Sequence, residues 1–218
     1  HGHYQGQEIF PQQKWQYLAD LAFGTTTGRE VSAPTRDTAA QADLVEVGEM
    51  IGPRVFGTGW PLFAGREGGA NQVVIVDSLD DARRHVRRLK RNGVTWLKQY
   101  LQPRREQRQW IQQAAREEGL MITAEGGGLK VQTTMMLGVF TNFEHGIPVA
   151  PLYQDMIQLL ARSKTAYTPT FVAGYAKPGS MDYYYATERV HDDPRVSRFM
   201  PHDLLDRLTS IRILIPDD

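Results

Sequence analysis

The sequence predicts an α/β fold of the (β/α)8 TIM-barrel class. Short apolar runs alternate with amphipathic helical patterns along the chain. The strand-like runs recur roughly every 25–45 residues, a spacing typical of parallel strands joined by helical crossovers. The 218 residues are fewer than the roughly 250 of a typical complete barrel. We therefore expect one domain, residues 1–218, that is a truncated barrel lacking the start of strand one and all of strand eight, with an open doubly wound sheet as the competing architecture.

The first half of the chain is predicted to contain three strands and four helices. Apolar residues at i, i+3, i+4 and i+7 from Trp15 mark the first helix. Ser78 is a suitable N-cap for the third helix, Asn92-Gly93 a suitable stop, and Pro103 opens the fourth helix. The strands are expected at residues 25–31, 54–59 and 94–98, and the helices at residues 11–22, 36–51, 79–92 and 103–119.

The second half repeats this alternation. Strands are expected at residues 120–125, 140–145 and 166–172, and three glycines, Gly126 to Gly128, follow the first of them. Pro151 is expected to start a helix with Leu152 and Met156 on its inner face. A Tyr-rich segment up to residue 199 is predicted to be irregular, and a last helix is expected to begin at Pro201.

Composition excludes several classes of function. Lys plus Arg and Asp plus Glu number 25 each, so the formal net charge is zero. Nucleic acid and anionic membranes both require a cationic surplus, and neither is expected as the main partner. No apolar run is long enough to span a bilayer. The chain has no cysteine, which excludes disulfides and thiolate ligands and leaves the compartment open.

Polar residues with metal-binding or acid–base chemistry stand where the predicted strands end. In a parallel barrel the catalytic groups lie at these carboxyl ends. His1 and His3 precede the first helix, and side chains at i and i+2 point the same way, as a shared metal requires. The other strand-end candidates are Lys98, Glu125 and His145. Taken singly, each has an ordinary alternative, such as a cloning remnant for the two histidines or a solvated charge for the lysine.

The order of these residues resembles that of the amidohydrolase superfamily. Residues 1–4 resemble its H-x-H entry, residues 23–27 its G-x-T-T step, and residues 96–100 its strand-four lysine. The segments at 142–147 and 167–170 are similar to its sixth and seventh strands. Residues 102–110 and 148–153 are most similar to imidazolonepropionase-like and prolidase-like members, especially those fused to a TolB-type β-propeller.

The resemblance implies a centre of one or two metal ions, commonly Zn²⁺, with other divalent metals open. His1 and His3 would bind one metal, carbamylated Lys98 would bridge two, and His145 would bind the second, with Lys98 and His145 as the catalytic pair. Glu125 stands where the family normally has a histidine, and a carboxylate is also an acceptable zinc ligand. The family's strand-eight aspartate would fall beyond the last residue, so we expect this 218-residue piece alone to hydrolyse nothing.

Three functions are consistent with these observations. The first is hydrolysis of an amide or peptide-type C–N bond in a small-molecule substrate, with residues 175–185 lining the substrate mouth or forming a surface. The second is an inactive barrel that serves as a binding or scaffold domain. The third, based on Gly126 to Gly128, is a nucleotide-binding sheet, but the spaced G-x-G-x-x-G motif is missing. Open edge strands also predict a homo-oligomer, which strictly monomeric elution would contradict.

Overall fold

The structure is a computed structural model that describes residues 13–63, 74, 76–126, 128–138, 140–170 and 181–210. His1 and His3 lie outside the described residues, as do residues 171–180, which include the start of the Tyr-rich segment. The described residues contain nine α-helices and seven strands. They group into two compact units, one built mainly from residues 55–169 and the other from segments near both ends of the described chain.

Strands and helices alternate from the first helix to the last strand. The strands are β1 (Thr27–Glu30), β2 (Arg54–Gly57), β3 (Leu62–Phe63), β4 (Trp96–Tyr100), β5 (Met121–Glu125), β6 (Asn142–Glu144) and β7 (Ala166–Thr168). The helices are α1 (Trp15–Ala22), α2 (Thr35–Glu46), α3 (Leu79–Arg91), α4 (Arg105–Glu117), α5 (Leu129–Leu137), α6 (Gln154–Ser163), α7 (Met181–Thr187), α8 (Pro194–Phe199) and α9 (His202–Ser210), with a 3-10 turn at Val190–Asp192 before α8. In the described part of the chain, no helix is both long and apolar enough to cross a bilayer.

The larger unit contains a parallel sheet of five strands in the order β3-β4-β5-β6-β7. Each neighbouring pair is parallel and sequential, as expected for strands linked by helical crossovers. The predicted α/β fold with a parallel sheet is therefore confirmed and corresponds to part of a (β/α) barrel. The trimmed first strand and the missing eighth strand stay predictions, as does the single domain.

The core lies on one face of this sheet. Strand residues at alternating positions are buried and apolar there, because side chains along a strand point to opposite faces in turn. They pack against the inner faces of helices α3 to α6, where fully buried residues such as Val86 and Ile111 complete the same cluster. The strand members of this cluster are Leu97, Ile122, Ala124, Phe143 and, partly buried, Tyr167. The rings of Phe143 and Tyr167 stack with centroids 4.9 Å apart.

Helix α3 shows how the sequence sets the helix ends. The Ser78 side chain accepts a hydrogen bond from the Asp81 backbone N–H at 3.1 Å, so the predicted N-cap is confirmed. Acidic residues occupy the first turn and basic residues the last, which complements the helix dipole. On the outer surface α3 is joined to α4 by ion pairs, among them Arg83 with Glu117 at 2.8 Å.

The smaller unit is helical. It contains α1, the end of α2 and helices α7 to α9. Tyr17 on α1 is buried and donates to Gln41 Oε1 at 3.1 Å, and Lys14 Nζ donates to the same oxygen at 2.7 Å. The guanidinium of Arg195 lies over the ring of Phe23, 4.2 Å from its centroid.

Four local predictions were wrong. Helix α2 ends at Glu46 instead of residue 51, because Gly48 adopts φ 81° and breaks the helix. Strand β3 was missed because two residues are too few to show an alternating pattern. Helix α5 was missed because its apolar residues show little helical periodicity. The segment predicted to be irregular contains α7 and α8.

Candidate active site

The second face of the parallel sheet is polar and nevertheless buried. Lys98 is 1% exposed, Thr123 and Glu144 are 0% exposed, and Asn142 is 2% exposed. Register places these side chains on adjacent strands, since Lys98 pairs with Thr123 and Thr123 with Asn142. Parallel strands are normally apolar on both faces, and burying polar groups is costly unless they are paired. This face therefore differs from that of an ordinary parallel sheet, and its buried polar groups require hydrogen-bond or ion-pair partners.

Two carboxylates meet the ammonium group of Lys98. Glu125, at the end of β5, lies 2.8 Å away between Oε2 and Nζ. Glu144, at the end of β6, contacts Nζ through its Oε2. The register pairs Glu125 with Glu144, so the two carboxylates project side by side from neighbouring strands and converge on the same nitrogen.

Arg29 on β1 provides the second cation of the site. Its Nη2 donates to Glu144 Oε1 at 3.1 Å, and its guanidinium lies over the Trp96 ring, 4.4 Å from the centroid. Burial lowers the pKa of Arg29, and the charge and hydrogen bond of Glu144 partly offset that effect. Thr123 Oγ1 donates to the same Glu144 oxygen at 3.1 Å, and the Asn142 amide is hydrogen-bonded to Thr123 Oγ1 at 2.9 Å.

His145 joins the cluster through Glu125. Its Nε2 contacts Glu125 Oε1, so Glu125 connects the histidine with Lys98. Burial by itself raises the pKa of Glu125, but the His145 hydrogen bond and the Lys98 charge outweigh burial and hold that pKa below its ordinary value. His145 is 34% exposed in its side chain, whereas Lys98 is 1% exposed. The histidine therefore forms the accessible rim of the cluster.

The backbone at the end of β6 turns His145 toward the site. Strand alternation alone would place it on the same face as Phe143, against the helices. His145 instead has φ 71°, an uncommon conformation for a residue other than glycine, and its backbone N–H donates to Thr168 O at 2.9 Å. This left-handed residue ends the strand and lets the imidazole reach Glu125. Local strain of this kind is concentrated at functional sites.

Gly126 allows β5 and β6 to approach each other directly beside the site. Its backbone N–H donates to Glu144 O at 3.1 Å, and a Cβ at this position would lie 2.7 Å from that oxygen. A side chain here would push the two strands apart. The first of the three consecutive glycines therefore serves strand packing, which gives no support to a phosphate-binding loop.

Comparisons with known proteins support the same architecture. No family model and no curated protein matches the sequence. Solved structures do match, among them a Xaa-Pro dipeptidase with bound methionine in the active site, at 18% identity and a TM-score of 0.60 over 89% of this chain. A prolidase complexed with N-methylphosphonate-L-proline matches at 17% identity and a TM-score of 0.61 over 90% of this chain. An amidohydrolase matches at 18% identity and a TM-score of 0.57 over 88%.

The chain shares its fold with these solved prolidases and amidohydrolases. It covers 51%, 51% and 50% of those three structures, so it spans about half the length of the amidohydrolases that it matches. At such low identity the likeness extends to the fold alone. The β-propeller fusion predicted from the sequence stays a prediction.

The structure brings together three of the five metal ligands predicted from the sequence. Lys98, Glu125 and His145 lie within one connected cluster, while His1 and His3 lie outside the described residues. Their role as ligands stays a prediction, and no group of three or more His, Asp or Glu side chains in the described part of the chain is arranged to hold a metal ion.

Sequence reasoning missed two members of the cluster, Arg29 and Glu144. Glu144 could have been found, because it is two residues from Asn142 and therefore points to the same face of β6. On the neighbouring strand it lies opposite Glu125. Arg29 lies on β1, outside the five-stranded sheet, and no pattern in the sequence links it to the site. Only its contact with Glu144 reveals its membership.

The charges of the cluster indicate whether a metal ion would fit it. Two cations, Arg29 and Lys98, face two carboxylates, Glu125 and Glu144, and with a neutral His145 the charges sum to zero. Carbamylation changes Lys98 from +1 to −1, so the sum becomes −2. One divalent cation restores neutrality, and carbamate, carboxylate and imidazole are all ligands that Zn²⁺ accepts. The residues present therefore fit a carbamylated lysine together with a divalent metal.

Proposed function

We propose that this chain belongs to a metal-dependent hydrolase of amide or peptide-type C–N bonds. The observation that carries the proposal is the convergence of Lys98 on β4, Glu125 at the end of β5 and His145 just after β6, near the carboxyl ends of neighbouring parallel strands. Active sites of (β/α) barrels lie at this end of the sheet. The fold shared with prolidases and amidohydrolases supports the same reaction class.

Three side chains would hold the metal. Carbamylated Lys98 and Glu125 would supply oxygen ligands, and His145 would supply a nitrogen ligand; His1 and His3 are proposed as further ligands from the sequence. Bound Zn²⁺ would polarise the substrate carbonyl and lower the pKa of a water molecule so that it attacks near neutral pH. His145 lies at the exposed rim, so it is the member of the cluster closest to an incoming substrate.

The surrounding residues fix charge and orientation. Arg29 neutralises Glu144 at the buried end of the cluster, which leaves Glu125 to face the site. Burial, and secondarily the charge of Glu125, raises the pKa of Tyr100 above that of an ordinary tyrosine. Tyr100 lies at the end of β4, where its ring is 5.7 Å from Lys98 Nζ, and it therefore stays a neutral phenol able to donate a hydrogen bond.

We propose a small dipeptide or N-acyl amino acid as the substrate class. One similar structure holds methionine in its active site, and another holds N-methylphosphonate-L-proline. Both are small amino-acid compounds. Since the chain spans about half of those proteins, activity and substrate are proposed for the protein that carries this chain.

The second candidate is a scaffold or binding domain without catalysis. One observation favours it: both carboxylates already pair with Lys98, so every charge of the cluster is satisfied without a metal. Internally paired charges of this kind also occur in purely structural networks.

Metal binding separates the two candidates. Protein stripped with a chelator and titrated with Zn²⁺ in a calorimeter should bind about one or two ions per chain at the cluster if it is a hydrolase site, as found for the metal centres of hydrolases. His145→Ala should weaken or abolish that binding. His85→Ala, which removes a half-buried histidine on α3 outside the cluster, is the matched control and should bind as the wild type does. Absence of zinc binding by the wild type would support the scaffold.

Hydrolysis is then assayed with the protein that carries the chain. A panel of Xaa-Pro dipeptides and N-acyl amino acids, followed by release of the free amino acid, should show zinc-dependent turnover. Lys98→Ala should remove that turnover. Equal turnover by the Lys98 variant would contradict the proposed mechanism.

A further inference from the structure

Glu144 is the most deeply buried charge of the cluster and has no role in the ligand set described above. Its side chain is 0% exposed, and its contacts with described residues include Arg29, Thr123 and Lys98. Oε1 accepts from Arg29 Nη2 and from Thr123 Oγ1, each at 3.1 Å, and Oε2 faces Lys98 Nζ. The carboxylate is therefore held on one oxygen by fixed donors and presents the other to the lysine.

We propose that Glu144 is a positioning residue that orients Lys98 Nζ for carbamylation and metal binding, an inference that rests on the function proposed above. Lysine has a flexible four-carbon side chain that loses considerable rotamer freedom when it is fixed. The Arg29–Glu144–Thr123 arrangement, referred to below as the clamp, holds Nζ from the buried side. Glu125 approaches from the more exposed side, with 14% of its side chain accessible.

The clamp would still orient Lys98 Nζ after carbamylation. An ammonium group that takes up CO₂ forms one N–C bond and releases two protons, which leaves a single hydrogen on Nζ. Glu144 Oε2 is an acceptor already placed beside Nζ, so that hydrogen donates to it. The new carboxylate group must then point away from Glu144, toward Glu125 and His145. Glu144 thereby selects the orientation in which the carbamate oxygens face the other ligands.

A purely structural role makes a different prediction. If Glu144 served only to neutralise Arg29, its removal would lower stability but leave zinc affinity in the folded protein unchanged. If it orients Lys98, the affinity itself falls, because residues that hydrogen-bond to metal ligands typically contribute about 10–100-fold in affinity. Zinc affinity at a temperature where every variant is folded is therefore the discriminating readout.

The experiment compares the zinc Kd of the wild type with that of Glu144→Gln. Glutamine has one side-chain oxygen, which cannot accept from both the Arg29 side and the Lys98 side, and its NH₂ group would face a cation. We expect binding about 10–100-fold weaker, with unchanged circular dichroism. Glu30→Gln is the matched control, because Glu30 is 2% exposed, accepts from Ser32 N at 3.0 Å and contacts none of the five cluster residues in the described hydrogen bonds and ion pairs.

A second variant and the wild type complete the test. If Glu144→Gln does not fold, Thr123→Val tests the clamp instead, because valine removes one hydrogen-bond donor to Glu144 Oε1 and has nearly the same shape as threonine. Weaker zinc binding by Thr123→Val supports the clamp, and unchanged binding overturns it. Zinc binding by wild type and Glu144→Gln with equal Kd overturns the positioning role and leaves the proposed function intact. Absence of zinc binding by the wild type overturns both.

Discussion

Replacing Lys98 with methionine in metal-free protein removes the central cation of a buried charge cluster. Met has nearly the same length as the aliphatic part of lysine, so the change acts mainly on charge. Arg29, which is paired with Glu144, is then the remaining cation beside two carboxylates, and the cluster carries a net charge of −1. Removing one partner of a buried ion pair typically costs about 3–5 kcal/mol, because the charge left behind is uncompensated. We expect the free energy of unfolding to fall by about that amount.

A double-mutant cycle shows whether the cost arises from the uncompensated charge. Adding Glu144→Gln to Lys98→Met restores a net charge of zero, since Arg29 and Glu125 are then the two remaining charges of the cluster. We expect the double variant to be more stable than the sum of the two single changes predicts, with a coupling of about 2 kcal/mol. Urea unfolding followed by circular dichroism measures all four proteins. Effects that add within about 0.5 kcal/mol would show instead that Lys98 and Glu144 contribute independently to stability.

Three further changes test other parts of the structure. Gly126→Ala should weaken zinc binding and lower the melting temperature, because the alanine Cβ would lie 2.7 Å from Glu144 O. A zinc Kd and a melting temperature equal to those of the wild type would contradict the close approach of β5 and β6. Leu97→Ala, on the apolar face of β4, should cost about 2–5 kcal/mol in urea unfolding without changing the zinc Kd of the folded protein. Arg83 lowers the pKa of Glu117 to about 2, so this ion pair stabilises the fold above the ordinary glutamate pKa and loses that effect as the pH falls toward 2. Between pH 5 and pH 2 the melting temperature of Glu117→Gln should therefore fall by less than that of the wild type. An equal fall in both proteins would contradict a stabilising role of this ion pair.

The sequence predicted the larger elements because their patterns are local. Ser78, Asn92 and Gly93 define the ends of α3 through capping chemistry that depends on neighbouring residues only. Strands β4 and β5 are short apolar runs bounded by turn residues, and both were found. Helix α5 and strand β3 were missed because their burial is decided by tertiary contacts that leave little periodic trace in the sequence.

The candidate site could be predicted in part, because several residues with metal-binding or acid–base side chains lie near the ends of strands. Lys98, Glu125 and His145 were each predicted at a strand end, so the barrel geometry suggested that they converge. In the structure Glu125 ends β5 and His145 follows β6, whereas Lys98 lies in the middle of β4, which extends to Tyr100. Arg29 could not be found in this way, because its contact with Glu144 joins residues 115 positions apart. The left-handed backbone of His145 was also hidden, since strand alternation would have turned the imidazole toward the helices.

Anomalous X-ray diffraction at the zinc absorption edge, from crystals of chelator-treated protein reloaded with Zn²⁺, tests the metal site most directly. We expect a peak within bonding distance of Glu125 and His145, and density for a carbamate on Lys98 Nζ that points toward that peak. Reloaded crystals with no peak between these side chains, and with Lys98 still paired to both carboxylates, would contradict it.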